Sequence, residues 1–428
     1  MVLMRRTLIN TSLLLTLALS AGAAELVITQ GGRRITATSC SGWSYDPAPV
    51  AFENNISNVY TTSGTNESHC TETIPFGDQI WRRQRDANGV WSSTPVIGRA
   101  NFRWMFGDQP IDSQTYIGRV GSPSVVRANG RYFMAFIASV SDPGLCSGQH
   151  SGVVCALCSD PFSYFAMFWA MSNDGATWHV LNNSHPVSNL ALQTALLYRS
   201  PNATDKSADS RYLGLTRVRT LLADGYIWFL TQFSAQDTMR TIMFRAPWDP
   251  ATEFGITGPL EAWRNDQLQW IPTVDGIVPE VFADPGSAAG FDPPLVSIAD
   301  ISQIQGVRFI GLETIDGNRR IQYRLSNDLL AWTPPKTLPS EIRYFADGSG
   351  YINSVVDPTL VEDGPGALHL FLASNDGDPD HGIPRDGVRD CSTFAPNGLG
   401  IYEGIVEITT FVPLPPPPPP GRRRAVRH

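Results

Sequence analysis

The chain has 428 residues, a formal net charge of −8, 42% hydrophobic residues and 17% charged ones. A mild acidic balance spread along the chain excludes the concentrated basic face that nucleic-acid binding needs. The length suits two or three average domains or one large repeat architecture.

The first residues read as a targeting segment. Arg5 and Arg6 form a short basic region, Thr7 to Ser20 is mostly apolar, and Ala21-Gly22-Ala23 fits the small-x-small cleavage rule. A secretory signal peptide over 1–23 is predicted, cut after Ala23 or Ala24. Its apolar run is short for a membrane span of about 20 residues. No later segment is suited to crossing a membrane, so the mature chain is expected to be soluble, secreted or periplasmic. All six cysteines, Cys40, Cys70, Cys146, Cys155, Cys158 and Cys391, lie beyond the signal. An even count in an exported chain reads as disulfides. The expected pairing is Cys40 with Cys70, one local pair within the 146–158 trio, and the remaining cysteine with Cys391. Cys155 and Cys158 have redox or zinc spacing, but no second CxxC or HxxxH accompanies them.

From here the reading is all-β, in short aromatic and β-branched runs punctuated by Gly, Pro, Asn and Asp. "ELVIT" (Glu25 to Thr29) is a first strand. "GWSYDPAPVAFENN" follows, with Trp43, Tyr45, Asp46-Pro47 and Glu53. Ile56 to Ile97 assembles into a unit that contains the turn "RDANGVW". "RWMFGDQPIDSQTY" holds Trp104, Asp108 and Asp112 and leads into "GSPSVVRANGRYFMAF", which has Ser122-Pro123 before an Asn129-Gly130 turn. "SNDGATW" (172–178) recurs as "SNDLLAW" (326–332). In such a turn Asp and Asn bond their own backbone, Gly supplies positive φ, and the Trp packs against the neighbouring unit.

Between those copies come "LTRVRTLLADGYIWFL" (from Leu215), the loop-rich "GIVPEVFADP" with Glu280 and Asp284, and Asp292 just before "PPLVSIADISQIQGVRFIGL". Tyr351 precedes "DPTLVEDGPGALHLFL", which opens on Asp357-Pro358. The loop Ala373 to Gly382 alternates Asp376, Asp378 and Asp380 and ends near His381. Oxygen ligands at every second position suit calcium, but a closing bidentate Glu is missing, and a solvated acidic loop is expected. "GLGIYEGIVEI" (from Gly398) can complete a ring with the strand at Glu25. The tail over 413–428 is a proline run, Pro415 to Pro420, followed by a basic tip, and reads as an extended spacer.

The recurring openings lie roughly 60 to 95 residues apart, long enough for a four-stranded sheet with loops. The expected fold is a five-bladed β-propeller of four-stranded antiparallel blades over 24–412, whose closure removes exposed sheet edges. A pair of β-sandwiches is the alternative.

The motifs "SPSVVRANGRYFMAF", "DPTLVEDG", "WAMSNDGATW" and "YRLSNDLLAW" resemble those of the five-bladed β-propeller glycoside hydrolases, the arabinanase, β-xylosidase and invertase type of families 43 and 32. The resemblance covers most of the mature chain. It implies an active site at one end of the central channel, built from an acidic trio. One carboxylic acid protonates the leaving oxygen while a carboxylate on the other face attacks or activates water.

Carried over by position, the blade-opening aspartates fall on Ser122, on about Arg217, and on Asp357. Glu280 is the nearest match to the acid glutamate, although its proline precedes it instead of following. Asp46, with Asp108 and Asp112 as further acids near the channel mouth, is a rival source. The candidate catalytic residues are therefore Asp357, Glu280 and Asp46. The candidate substrate-binding residues are Ser122, Asp292, Trp43, Trp104 and Tyr351, because sugar faces pack on aromatic rings. Trp178 and Trp332 belong to the repeat and are assigned to the core. No G-x-S-x-G elbow surrounds Ser122, and no H-E-x-x-H, Walker or dinucleotide motif appears. No cofactor is expected.

The reading is a secreted glycoside hydrolase, monomeric, with a carbohydrate substrate. A non-catalytic carbohydrate-binding propeller is the alternative, and a surface scaffold using the propeller face is a third.

Overall fold

The computed structural model describes residues 25–35, 42–52, 55–65, 79–98, 116–141, 163–180, 198–199, 214–235, 238–264, 269–272, 295–301, 307–315, 320–338, 355–362, 368–375 and 399–409. Every regular element among them is a β-strand. After β1 (Glu25–Arg34) the chain runs through successive antiparallel meanders. The first is β2 (Gly42–Phe52), β3 (Asn55–Thr65), β4 (Gln79–Arg85) and β5 (Trp91–Ile97). The second is β6 (Tyr116–Ala128), β7 (Arg131–Ser141) and β8 (Ser163–Ser172), with the two-residue strands β9 (His179–Val180) and β10 (Tyr198–Arg199) on β8.

The third meander is β11 (Gly214–Ala223), β12 (Tyr226–Ala235), β13 (Thr238–Pro247), β14 (Glu261–Arg264) and β15 (Gln269–Pro272). The fourth is β16 (Ser297–Asp300), β17 (Phe309–Ile315), β18 (Arg320–Ser326) and β19 (Lys336–Thr337). The last is β20 (Val355–Glu362), β21 (Leu368–Asn375) and β22 (Leu399–Thr409), and β1 returns to add its fourth strand. Glu25 stands opposite Thr409 in that closing pair.

The arrangement is an all-β propeller. The first strands contact one another in cyclic order, β2 with β6, β6 with β11, β11 with β16, β16 with β20, and β20 with β2. The expectation of five separate four-stranded sheets needs correction, because the described residues form four hydrogen-bonded sheets. Gly214 at the start of β11 pairs in parallel with Phe165 of β8, and this contact fuses the second and third meanders into one ten-stranded sheet.

Burial follows the two-residue period of a strand. In β7, Phe133, Ala135 and Ile137 pack toward the third meander, and Met134, Phe136 and Ala138 toward the first. In β12, Ile227 and Phe229 face the second meander, and Trp228 and Leu230 the fourth. Both faces of an inner strand are thus covered, which is why these segments read as continuous apolar runs without polar alternation. The core is divided into clusters, one at each junction between neighbouring meanders, the last joining Phe371 and Ala373 to Ile56 and Val59.

Turn chemistry sets the hairpins. Asn129-Gly130 (φ 50° and 75°) and Asp224-Gly225 (φ 54° and 77°) close β6–β7 and β11–β12 with two-residue loops. Positive φ at both central residues is what the strand twist demands of so short a loop. The two SND repeats fold alike. Ser172 Oγ accepts from Gly175 N–H at 2.9 Å, and Asp174 Oδ1 accepts from Ala176 and Thr177 N–H at 2.8 and 2.7 Å. Ser326 and Asp328 repeat this with Leu329, Leu330 and Ala331 at 2.9, 2.9 and 2.7 Å. The amides of Thr177 and Ala176 hold the Asp174 carboxyl down to about 2. Each turn then places a tryptophan on the preceding meander: Trp178 lies edge-on to Tyr60, with ring centroids 5.6 Å apart, and Trp332 packs in the cluster of Leu221 and Trp228.

Candidate functional site

Three innermost strands carry an x-Pro pair, Asp46-Pro47 in β2, Ser122-Pro123 in β6 and Asp357-Pro358 in β20. Proline has no N–H for the ladder, so a strand at the edge of its sheet, as each of these is, accommodates it by bulging. All three strands do so. The register shifts between Tyr45 and Ala48, between Gly121 and Ser124, and between Val356 and Thr359, each time at the x-Pro pair. β11 lacks the proline but shifts between Leu215 and Arg217. Asp46, Ser122 and Asp357 thus sit within bulges of their strands, while in β11 the shift falls just before Arg217, which pairs with Gln232. Bulges re-aim a side chain and recur beside functional sites.

Two of these positions are strained. Asp46 has φ 52° and Ser122 φ 49°, left-handed conformations that cost a non-glycine residue on the order of 1–3 kcal/mol each. A hydrogen-bond network holds them. Ser122 Oγ donates to Asp46 Oδ2 at 2.8 Å, Thr62 Oγ1 donates to the same oxygen at 3.1 Å, and Ser122 N–H donates to Thr62 Oγ1 at 2.7 Å. Gly121 makes this closeness feasible, since a Cβ there would stand 2.7 Å from Thr62 Cγ2.

The other side of Asp46 faces two guanidinium groups from β11. Arg217 Nε lies 3.7 Å and Arg219 Nη2 3.9 Å from Asp46 Oδ1. The side chains of Asp46 and Arg219 are 2% and 4% exposed, whereas that of Arg217 is 25% exposed. Burying a carboxylate this deeply is costly without partners, and Asp46 has two hydroxyl donors on Oδ2 and two guanidinium groups beside Oδ1. Arg219 Nη1 also donates to the carbonyls of Pro123, at 3.3 Å, and Val218, at 3.0 Å. One step further round, the Ser124 and Thr220 hydroxyls meet at 2.8 Å, and Gln232 Nε2 donates to Leu295 O at 3.0 Å. Polar side chains thus bridge successive meanders at the hub, where the bulges interrupt the backbone ladder.

Of the residues selected from sequence, Asp46 and Ser122 come into direct contact. Asp357 occupies the equivalent bulge of β20, the neighbour of β2 in the ring, and Trp43 lies in β2; for both, the backbone position alone is described. Glu280, Asp292, Trp104, Tyr351, the Asp376–Asp378–Asp380 loop and all six cysteines lie outside the described residues. Among the described residues no three His, Cys, Asp or Glu side chains gather as a metal site would require.

Sequence reasoning missed Thr62, Gly121 and Arg219. Arg219 left a trace: "LTRVRTLL" places two charges in an otherwise apolar inner strand, which is costly unless each meets a partner.

These features define a class, an all-β propeller with a strained, charged hub. No protein-family model matches the chain, and no curated protein matches it in sequence. The chain is similar in structure to Zg3597, a family 117 glycoside hydrolase from the marine bacterium Zobellia galactanivorans, with 11% identity, 91% of each chain covered and a TM-score of 0.46. It is similar to CoXyl43, a GH43 β-xylosidase/α-arabinofuranosidase from a compost microbial metagenome, with 12% identity, 90% of this chain and 99% of that one covered, and a TM-score of 0.42. It is also similar to the GH32 β-fructofuranosidase BmSUC1 of Bombyx mori, with 11% identity, 88% of this chain and 62% of that one covered, and a TM-score of 0.42.

Proposed function

We propose that this protein is an exported, carbohydrate-active propeller that hydrolyses a glycosidic bond at its hub. In this reading the ten-stranded sheet works as two blades, joined among the described residues where Gly214 meets Phe165, so the ring has five. The five apolar junctions and the cyclic contacts of the innermost strands support that count. Asp46 is the carboxylate that attacks or activates water, and Asp357 or Glu280 supplies the proton to the leaving oxygen. The observation that carries the reading is that Asp46 and Asp357 stand at equivalent x-Pro bulges of adjacent innermost strands. A glycosidase needs two carboxyl groups facing one cleft about 5 to 10 Å apart.

The assay is a panel of aryl glycosides with arabinan, xylan and fructan. Turnover by the intact chain is expected. Asp46→Asn and Asp357→Asn or Glu280→Gln should each lower kcat by about 100-fold or more, with the circular dichroism spectrum retained. The variant of the true acid should be the one rescued on substrates with a good leaving group.

A second reading is a binding propeller without catalysis. It is favoured by Ser122 and Arg217 at strand openings where the resemblance implies aspartates. Glycan binding without turnover anywhere in the panel establishes it and overturns the hydrolase.

A further inference from the structure

One buried amide fixes the point at which the chain re-enters the hub, and this inference rests on the hydrolase reading above. The chain leaves β15, the outermost strand of the third meander, at Pro272 and reaches the inner strand of the fourth through Leu295. Residues 273–294 join the two and carry Glu280 and Asp292. They end in Pro293 and Pro294, which have no N–H for a ladder.

Leu295 is held from two sides. Its side chain is fully buried in the cluster between the third and fourth meanders, where Gly311 leaves it room: a Cβ on that glycine would stand 2.9 Å from Leu295 Cδ2. Its carbonyl accepts from Gln232 Nε2 at 3.0 Å. The next residue, Val296, then begins the backbone pairing with β17 by donating to Leu312 O at 2.7 Å.

Gln232 lies on β12 opposite Arg217, just past the register shift of β11, and is 2% exposed. Burying a long amide costs hydration and rotamer freedom, and an apolar residue would fill the same strand without either cost. The amide adds a directional bond to the next meander. Thr62 acts alike: from β3 it accepts the Ser122 N–H at the opening of β6. In both cases a side chain on the second strand of one meander fixes the opening of the next innermost strand.

We propose that Gln232 is a positioning residue. By holding Leu295 O it sets the end of the 273–294 segment, and through it the general acid, which is Glu280 of that segment and not Asp357.

The test uses pairs of substrates that share whichever sugar of the panel is turned over but differ in leaving group. A sugar alcohol must be protonated as it departs, whereas a nitrophenolate leaves without a proton. Gln232→Met keeps the length of the side chain and removes the donor. It should lower kcat by about 10- to 100-fold on an oligosaccharide and by about 3-fold or less on the nitrophenyl glycoside, with KM little changed. Glu280→Gln should show the same leaving-group signature, and adding Gln232→Met to it should cost little more, because both act on one group. Tyr60→Phe removes another buried donor, the one to Gly175 O, and serves as the control for general destabilisation. It should leave the ratio between the two substrates at the wild-type value, with thermal melts reporting the stability of every variant.

Equal losses on both substrates, an unchanged ratio in a folded Gln232→Met, or additive losses in the double variant overturns the inference and leaves the hydrolase reading standing. No turnover of any substrate by the wild-type chain overturns that reading, and the inference with it.

Discussion

Thr62 shows how much of the hub depends on one hydroxyl. It donates to Asp46 and accepts from the Ser122 amide, so it joins two strained residues from different meanders. Valine has nearly its shape but neither function. Thr62→Val should leave the Ser122 N–H without that acceptor and remove one donor from Asp46, destabilising the fold by about 2 kcal/mol or more. Urea denaturation checks this, and Thr62→Ser should recover most of the loss; a midpoint equal to wild type sinks the account. In the sequence Thr62 looks like any β-branched strand residue. Asp46 was legible because Asp-Pro is a rare pair inside a strand. Arg217 was legible through its alignment with the other openings. The contact between them was not, because no local spacing encodes it.

The two SND turns compare directly at the scale of elements. The same left-handed position holds Gly175 (φ 70°) in one and Leu329 (φ 66°) in the other. In the first turn Tyr60 Oη donates to Gly175 O at 2.7 Å, and a Cβ on residue 175 would meet that Oη at 2.6 Å. In the second turn the side chain fills the core beside Leu221 and Trp228. Gly175→Ala should therefore destabilise by about 2 kcal/mol or more, from backbone strain and from crowding the buried Tyr60. Leu329→Gly relieves about 1 kcal/mol of strain but forfeits about 2–5 kcal/mol of burial, so burial wins and the variant is also less stable. Denaturant melts of both decide the matter; a stabilised Leu329→Gly would show strain to be dominant. The turn itself was legible, since Ser, Asn, Asp and Trp recur at fixed offsets. Which neighbour tolerates a side chain at the fourth position was not.

The whole molecule depends on how the ring is closed. The last meander takes its outer strand from the beginning of the described chain, with β1 paired along β22. Arg85 of β4, in the first meander, lies 3.6 Å from Glu403 of β22, and His369 Nδ1 of the adjacent strand β21 lies 3.1 Å from that carboxylate. Ring closure leaves few sheet edges to pair with other molecules. A chain beginning at residue 36 should melt lower, by on the order of 5 °C or more, and should self-associate through the bared edge of β22. Calorimetry and light scattering measure both effects, and a monomer with an unchanged midpoint would show that β1 does not close the ring.

The sequence by itself determined the strand runs, the hairpin turns, the tryptophan-bearing repeats and the x-Pro openings, because each arises from steric and hydrogen-bonding preferences acting over a few residues. Only the tertiary structure decided that the second and third meanders share a sheet, and that residues 46, 62, 122, 217 and 219 meet at one point. Those outcomes follow from the order in which strands pack around a closed ring, and the partners in such contacts lie too far apart along the chain to leave a pattern of spacing.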